Sequence, residues 1–251
     1  MFSLQGKVAL VTGSSRGLGW AIAEALSSAG AHVVLNGRDP ATLGARAAEL
    51  SGSAGGCTAV AFDVTDAEAV AAGVAEIGRR CGRLDVAVCN AGIVIRKATL
   101  ETSDAEWDAV LETDLSACFR VAREAARAMV RNGWGRIIMI SSVMGTIARP
   151  TIASYVASKA GLHGLTRALA VELGPMGINV NCIGPGFYPT EANQVIRDNK
   201  EFYDWVSSRS PLNRWGDPQE LGGAAIYFAS DASSFCNGQV LTIDGGMTVA
   251  L

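Results

Sequence analysis

Short apolar runs alternate with longer stretches of helical period along the whole chain. The runs "KVALVTG" (7–13), "HVVLNG" (32–37), "CTAVAFDV" (57–64), "LDVAVCNAG" (84–92), "GRIIMISS" (135–142), "INVNCIGPG" (178–186) and "GQVLTID" (238–244) read as strands, being short, apolar and rich in valine and isoleucine. Helices are predicted over 19–30, ending at a glycine cap, over 40–50, with Pro40 in the first turn, and over 66–82, opened by a capping aspartate. Further helices are predicted over about 103–132, 153–173, 191–208 and 217–230. The strands are continuously apolar, so both faces of their sheet must be covered. Strand–helix alternation and the right-handed crossover rule then predict an α/β fold, a single doubly wound parallel sheet with helices on both faces. No linker, low-complexity tract or repeat interrupts residues 1–251, which are expected to form one domain. The stretch from about 187 to 216 is the least regular; it carries Trp205 and Trp215 and is expected to form a lid over a site.

Composition removes several function classes. With 49% hydrophobic and 18% charged residues the chain is a folded globular protein. The net charge is −3, and no basic stripe or basic amphipathic helix suggests nucleic acid or a membrane surface as partner. No apolar run approaches membrane-spanning length and the N-terminus has no signal-like pattern, so a cytoplasmic location is expected. The six cysteines, at 57, 81, 89, 118, 182 and 236, form no CxxC pair and are expected to be free thiols. His32 and His163 are the two histidines; both are expected to be structural, and no metal site is expected.

The loop "TGSSRGLG" (12–19) joins the first strand to the first helix. Gly13, Gly17 and Gly19 let backbone approach a phosphate, and a helix N-terminus supplies N–H donors, so the loop points to a dinucleotide and the sheet to a Rossmann-type fold. "NGRD" (36–39) ends the second strand, where a carboxylate would bind the adenosine ribose and repel a 2′-phosphate. Asn36 is neutral, Arg38 is basic and Arg16 lies in the glycine loop, which favours NADP(H) over NAD(H). Asp39 opposes this reading if it, rather than Asn36, faces the ribose. In "YVASK" (155–159), Tyr155 and Lys159 stand four apart and share one helix face.

"TGSSRGLG", "NAG" (90–92), Ser142, "YVASK" and "PGFYPT" (185–190), in this order and spacing, resemble the short-chain dehydrogenase/reductase family over essentially the whole chain. "ARPTIASY" (148–155), "GPGFYPTEAN" (184–193) and "RWGDPQELGGAA" (214–225) resemble the gluconate 5-dehydrogenase branch. The resemblance implies Tyr155 as catalytic acid/base and Lys159 as a charge that stabilises its phenolate and holds the nicotinamide ribose. It implies that Ser142 hydrogen-bonds the substrate oxygen. For the cofactor it implies Gly13, Ser15, Arg16, Gly17, Leu18 and Gly19 at the phosphates, Asn36 and Arg38 at the ribose, and Asp63 and Val64 beside adenine. Asn90, Ala91 and Gly92 would follow, with Pro185, Gly186, Phe187 and Thr190 near the nicotinamide.

The chain departs from the family where an asparagine, which helps bind a water in a proton relay to the lysine, is usual: "WDAVLETDLSACF" (107–119) has Asp114 there, an acceptor only when ionised. Cys89 and Phe187 are smaller departures. Arg96 or Arg149 could bind a substrate carboxylate, Glu191 and Asn193 could bind hydroxyls, and Met144 and Trp205 could line the pocket. The expected function is an NADP-preferring oxidoreductase acting on a sugar acid or polyol, of gluconate/5-ketogluconate type. The alternatives are a 3-oxoacyl thioester or general ketone reductase, and a non-catalytic dinucleotide sensor. The resemblance also implies a homo-tetramer.

Overall fold

The computed structural model describes residues 1–250, apart from the side chains of Ala192, Val195 and Ile196. Within them, β1 (Val8–Val11), β2 (His32–Gly37), β3 (Cys57–Ala61), β4 (Val86–Cys89), β5 (Gly135–Ile140), β6 (Ile178–Pro185) and β7 (Val240–Ile243) form one sheet in the order β3-β2-β1-β4-β5-β6-β7. Every neighbouring pair is parallel, and Leu10 sits opposite Val34 on one side and Ala87 on the other. The strand order reverses between β1 and β4, which opens a crevice beyond their carboxyl ends, the usual ligand position in such sheets.

The helices are α1 (Gly17–Ser28), α2 (Pro40–Leu50), α3 (Ala67–Cys81), α4 (Asp104–Leu111), α5 (Ala117–Val130), α6 (Ala153–Leu173), α7 (Gln194–Arg197), α8 (Lys200–Arg209) and α9 (Gly222–Ala229). Successive strand side chains point to opposite faces, and this divides the core in two. Val8, Leu10, Val34, Ala87 and Ile137 pack with Val70 of α3, Val121 of α5 and Leu162 of α6. Ala9, Val11, Val33, Leu35 and Ile138 pack with Ile22 and Leu26 of α1, Leu43 of α2 and Phe228 of α9. Burying each large aliphatic side chain stabilises the fold by ~1.5–3 kcal/mol, and the sheet has no solvated face at its centre.

Local chemistry sets the helix starts. Asp39 accepts from Ala41 N and Thr42 N ahead of Pro40, and Asp66 accepts from Glu68 N and Ala69 N. Ser103 and Glu106 form a reciprocal capping box at α4. The single helix predicted over 103–132 is instead α4 and α5 joined by a π-helical turn, Glu112–Ser116. Such a turn inserts an extra residue and re-aims the side chains it carries; here Asp114, in its middle, is fully buried. The helix predicted over 191–208 also divides. A 3-10 turn (Glu191–Asn193) and α7 precede Asn199, whose side chain accepts from Phe202 N and starts α8 anew. Residues 187–216 are tied together by aromatics: the Phe187 ring meets Trp215 edge-on at 5.5 Å, and Tyr203 stacks on Trp215 at 5.2 Å.

Candidate active site

A cleft of about 620 Å³ opens at the carboxyl ends of the strands where the order reverses. Gly13, Ser15, Arg16, Gly17, Leu18 and Gly19 line one end of it. Gly17 begins α1 with φ of +57°, a left-handed conformation that favours glycine, and α1 has no side-chain cap. Its first N–H groups therefore remain available to a ligand. At Gly19 a Cβ would lie 2.4 Å from Asn90 Nδ2 and 2.5 Å from Gly13 O, so no side chain fits. Asn90 holds the loop shut by donating to Thr12 O and Gly13 O, while Thr12 Oγ1 accepts from Asn90 N and Ala91 N. Thr12 is a bracing residue that the glycine spacing alone did not single out.

The end of β2 refines the sequence reading. Asn36 is buried, and its Nδ2 donates to Val60 O and Phe62 O of the neighbouring strand. Asp39 is exposed and occupied in capping α2. Asp39 does not line the cleft; Asn36, Gly37 and Arg38 do, together with Asp63 and Val64. A Cβ on Gly37 would find only ordinary contacts, 3.5 Å to Leu43, so the missing side chain is a matter of space left for a ligand. Asp63 accepts from Thr65 N and Thr65 Oγ1, which holds its carboxyl below the usual range.

Ser142, Tyr155, Lys159 and Asp114 converge near the middle of the cleft, beside Ala91 and Gly92. Ser142 follows β5, and its Oγ accepts from Met144 N at 3.1 Å, so its own hydrogen is free to donate. Lys159 Nζ lies 5.4 Å from the centre of the Tyr155 ring and donates to Ile140 O at 3.1 Å. It is also 3.2 Å from Asp114 Oδ2. Burial alone would lower the lysine's pKa, but Asp114 and Tyr155 outweigh it and the ammonium is held well above its ordinary value. Burial raises the Asp114 carboxyl, opposed by Lys159 and by the Ile93 N–H that Oδ1 accepts at 2.7 Å.

Strand geometry separates Ser141 from Ser142. Ser141 turns to the opposite face, and its Oγ donates to Lys159 O at 2.9 Å. Its one proton is used there, so His163 Nε2, 3.0 Å away, is the protonated nitrogen and donates to it. Burial lowers the His163 pKa, which keeps the ring neutral in this structural role. Ser141 was not singled out by sequence; its sign was a second hydroxyl beside Ser142.

At the other end Arg96, Met144, Arg149, Phe187, Thr190, Glu191 and Asn193 line the cleft. Arg96 Nη2 donates to Asn193 Oδ1 at 3.2 Å, and the Arg149 guanidinium lies 4.8 Å from the Phe202 ring centre. Burial lowers the pKa of both arginines, and Arg96 adds repulsion to Arg149. Glu191 and Thr190 stand against Gly17, toward the phosphate end rather than the substrate end. Trp205 is not at the cleft: it is half exposed on α8, with its ring 5.5 Å from Phe202. Pro185 is buried in β6 opposite Ile243, and the lining begins with Gly186. Among the described residues no group of three His, Cys, Asp or Glu is placed to hold a metal, and no helix is long and apolar enough to cross a membrane.

Residues 13–248 match the family described as Enoyl-(Acyl carrier protein) reductase. The chain is 43% identical to gluconate 5-dehydrogenase of Gluconobacter oxydans (strain 621H), covering 100% of this chain and 98% of that one. The chain belongs to the short-chain dehydrogenase/reductase family. It is 40% identical to 5-keto-D-gluconate 5-reductase of Escherichia coli (strain K12), covering 100% and 99%. A crystal structure of a gluconate 5-dehydrogenase from Burkholderia cenocepacia J2315, in complex with NADP and tartrate, superposes with a TM-score of 0.97 at 40% identity, covering 100% and 98%. This short-chain dehydrogenase/reductase is an oxidoreductase acting on CH–OH groups.

Proposed function

We propose that the chain is an NADP(H)-preferring oxidoreductase that interconverts a sugar acid or polyol with its keto form, gluconate and 5-keto-D-gluconate being the expected pair. The observation that carries the substrate class is the shared cleft of Arg96 and Arg149 with Ser142 and Tyr155. Two half-buried guanidiniums with raised electrostatic cost suit a carboxylate better than a neutral ketone or an acyl chain. The activities named for the Gluconobacter and Escherichia relatives support the same class.

The residues fit a dinucleotide. The uncapped start of α1 and the closed glycine loop suit its diphosphate, and Gly37 with Arg38 and Arg16 suits a 2′-phosphate. Such a cofactor, when bound, supplies or takes the hydride at the substrate carbon. In the reducing direction Tyr155 gives its hydroxyl proton to the carbonyl oxygen as that oxygen gains electrons, and Ser142 Oγ–H donates to the same oxygen. Lys159 stabilises the phenolate that remains, and the phenolate takes its replacement proton from solvent. Arg96 and Arg149 fix the far carboxylate, and Asn193, which accepts from Arg96, lies within the same lining for hydroxyls.

The whole chain acts as one catalytic unit, with 187–216 as a lid whose aromatics close over the cleft and whose Phe202 rests on Arg149. It works in the cytoplasm as a homo-tetramer; the exposed Phe119 on α5 and Val171 on α6 mark apolar surface available for assembly. Oxidation of NADPH and NADH should be followed with 5-keto-D-gluconate, an acetoacetyl thioester and neutral ketones, alongside Tyr155→Phe. NADPH turnover on 5-keto-D-gluconate, lost in the variant, is expected. Turnover on thioesters alone would discard the substrate class, and binding without any turnover would favour a sensor.

A further inference from the structure

Asp114 is placed by three independent features. The π-helical turn Glu112–Ser116 turns it inward. Ile93 N–H donates to Oδ1 at 2.7 Å. A Cβ at Gly92 would stand 3.0 Å from Oδ2, so the absence of a side chain there makes room for the carboxylate. Oδ2 is buried and, among the described residues, accepts no hydrogen bond of good geometry; the Lys159 ammonium at 3.2 Å is its partner by charge. With Oδ1 committed to Ile93, an amide in place of the carboxylate would turn a donor toward the ammonium. Only a carboxylate suits both neighbours.

We propose that Asp114 is the resident counter-ion of Lys159, a positioning residue that cancels much of the ammonium's pull on the Tyr155 phenolate and so biases the site toward the protonated phenol that reduction needs. The inference rests on Tyr155 being the acid/base but on no particular substrate. Its consequence is directional. Carbonyl reduction, which consumes the phenol proton, persists to higher pH than an uncompensated lysine would allow. Alcohol oxidation, which needs the phenolate, is displaced to more alkaline pH.

The other titratable and charged groups facing this pair are few. Cys118 of α5 and Cys182 of β6 interact with Lys159 but are held as neutral thiols by burial, near 12 and 11. Cys89 of β4, packed on Cys118, is likewise pushed up by burial. Arg96, after β4, lines the same cleft as Tyr155, whose charge opposes the lowering of the guanidinium's pKa by burial. His163 of α6 reaches Lys159 only through Ser141 and stays neutral. Asp114 is thus the anion nearest the ammonium, and removing its charge has no ready substitute.

The test reads the phenolate directly, with the full chain and no substrate. Ultraviolet difference titrations are recorded for the parent, Asp114→Asn and Lys159→Met, each against the same protein carrying Tyr155→Phe. In Asp114→Asn the phenolate is expected to appear at lower pH, by roughly one unit, the order of effect of one nearby charge removed from a partly screened site. In Lys159→Met it should appear at higher pH, and the double variant should return close to the parent. A merely structural aspartate would not give opposite shifts that cancel. Coincident curves for the parent and Asp114→Asn overturn the proposal. Should Asp114→Asn fail to fold, Asp114→Ser is read in the same way. If that also fails, Lys159→Met decides alone: the uncovered carboxylate should carry phenolate formation above the free phenol's pH of about 10, and formation at or below it overturns the proposal.

Discussion

The hydroxyl of Ser141 donates to the backbone carbonyl of Lys159 at 2.9 Å, and so ties the end of β5 to the turn of α6 that carries Tyr155 and Lys159. His163 completes the brace from the next turn. Ser141→Ala removes the link while leaving Ser142 and Tyr155 in place. It should lower stability by ~1 kcal/mol, the usual net worth of a buried hydrogen bond. It should lower kcat by about 5–10-fold, because a small displacement of the acid/base relative to Ser142 weakens alignment. NADPH affinity should change little. Thermal melting, fluorescence titration with NADPH and steady-state rates together check the three statements.

At Gly19 the obstacle to any side chain is backbone as well as Asn90: a Cβ would stand 2.5 Å from Gly13 O. Gly19→Ala must therefore push apart the glycine loop and the Asn90 brace. NADPH binding should weaken at least about tenfold, equivalent to ~1.4 kcal/mol. The far-ultraviolet dichroism should remain, since α1 itself tolerates alanine. Unaltered NADPH affinity would show that the loop relaxes without cost.

Sequence patterns made much of this legible. The seven apolar runs became the seven strands because continuous burial on both faces leaves little freedom in period or partner. Helix spacing put Tyr155 and Lys159 on one face, and Ser142 came from the family resemblance; all three line the cleft. The end of β2 was less legible. Attention fell on polar side chains there, whereas Asp39 caps α2 and Gly37, which has no side chain, lines the cleft between Asn36 and Arg38. The π turn was also hidden, since "ETDLS" has ordinary helical composition and the turn is set by burial of Asp114 against residues distant in sequence. Trp205 was misplaced for a related reason: aromatic character does not say which face of a short helix meets the cleft.

Gly37 leads to a cofactor prediction. Aspartate fits there without steric conflict, with φ in the ordinary range and Leu43 at van der Waals distance. Its carboxylate would accept from a ribose hydroxyl and repel a 2′-phosphate, and Arg38→Leu removes the cation favouring that phosphate. The double variant Gly37→Asp/Arg38→Leu should lose about tenfold or more in kcat/KM for NADPH and gain for NADH. Each added bidentate or repelled charge is worth ~1.5–3 kcal/mol. A ratio of the two kcat/KM values that fails to move would mean that recognition lies elsewhere, with Arg16 the next residue to change.

The cysteines give a pH prediction of definite sign. All six are free, and Cys89, Cys118 and Cys182 are buried. Half-buried Cys57 is pushed up by burial to about 11. A raised thiol pKa means that the reactive thiolate is scarce below it and becomes abundant only as pH rises through it. At pH 8 Cys57 would be ionised to about one part in a thousand. Disulfide-exchange titration of the native protein at pH 8 should thus find Cys89, Cys118 and Cys182 silent and Cys57 slow. The Cys57 rate should rise about tenfold per pH unit up to pH 10. Fast stoichiometric reaction of Cys118 would show that α5 opens in the native state.

Arg149 separates the substrate classes. Its guanidinium lies over the Phe202 ring and within the cleft that holds Tyr155, so under the proposed function it is placed to hold a sugar-acid carboxylate beside residues 187–216. Arg149→Met keeps a long apolar stem against Phe202 while removing the charge. A hydrogen-bonded charge pair is worth ~1.5–3 kcal/mol, so KM for 5-keto-D-gluconate should rise by about 10–100-fold. Since the carboxylate is held equally in ground and transition states, kcat should fall less than kcat/KM. A neutral ketone of similar length should lose little on either constant. If the variant handled charged and neutral substrates alike, the carboxylate would have to be held by Arg96 alone, and Arg96→Met should then show the split that Arg149→Met did not.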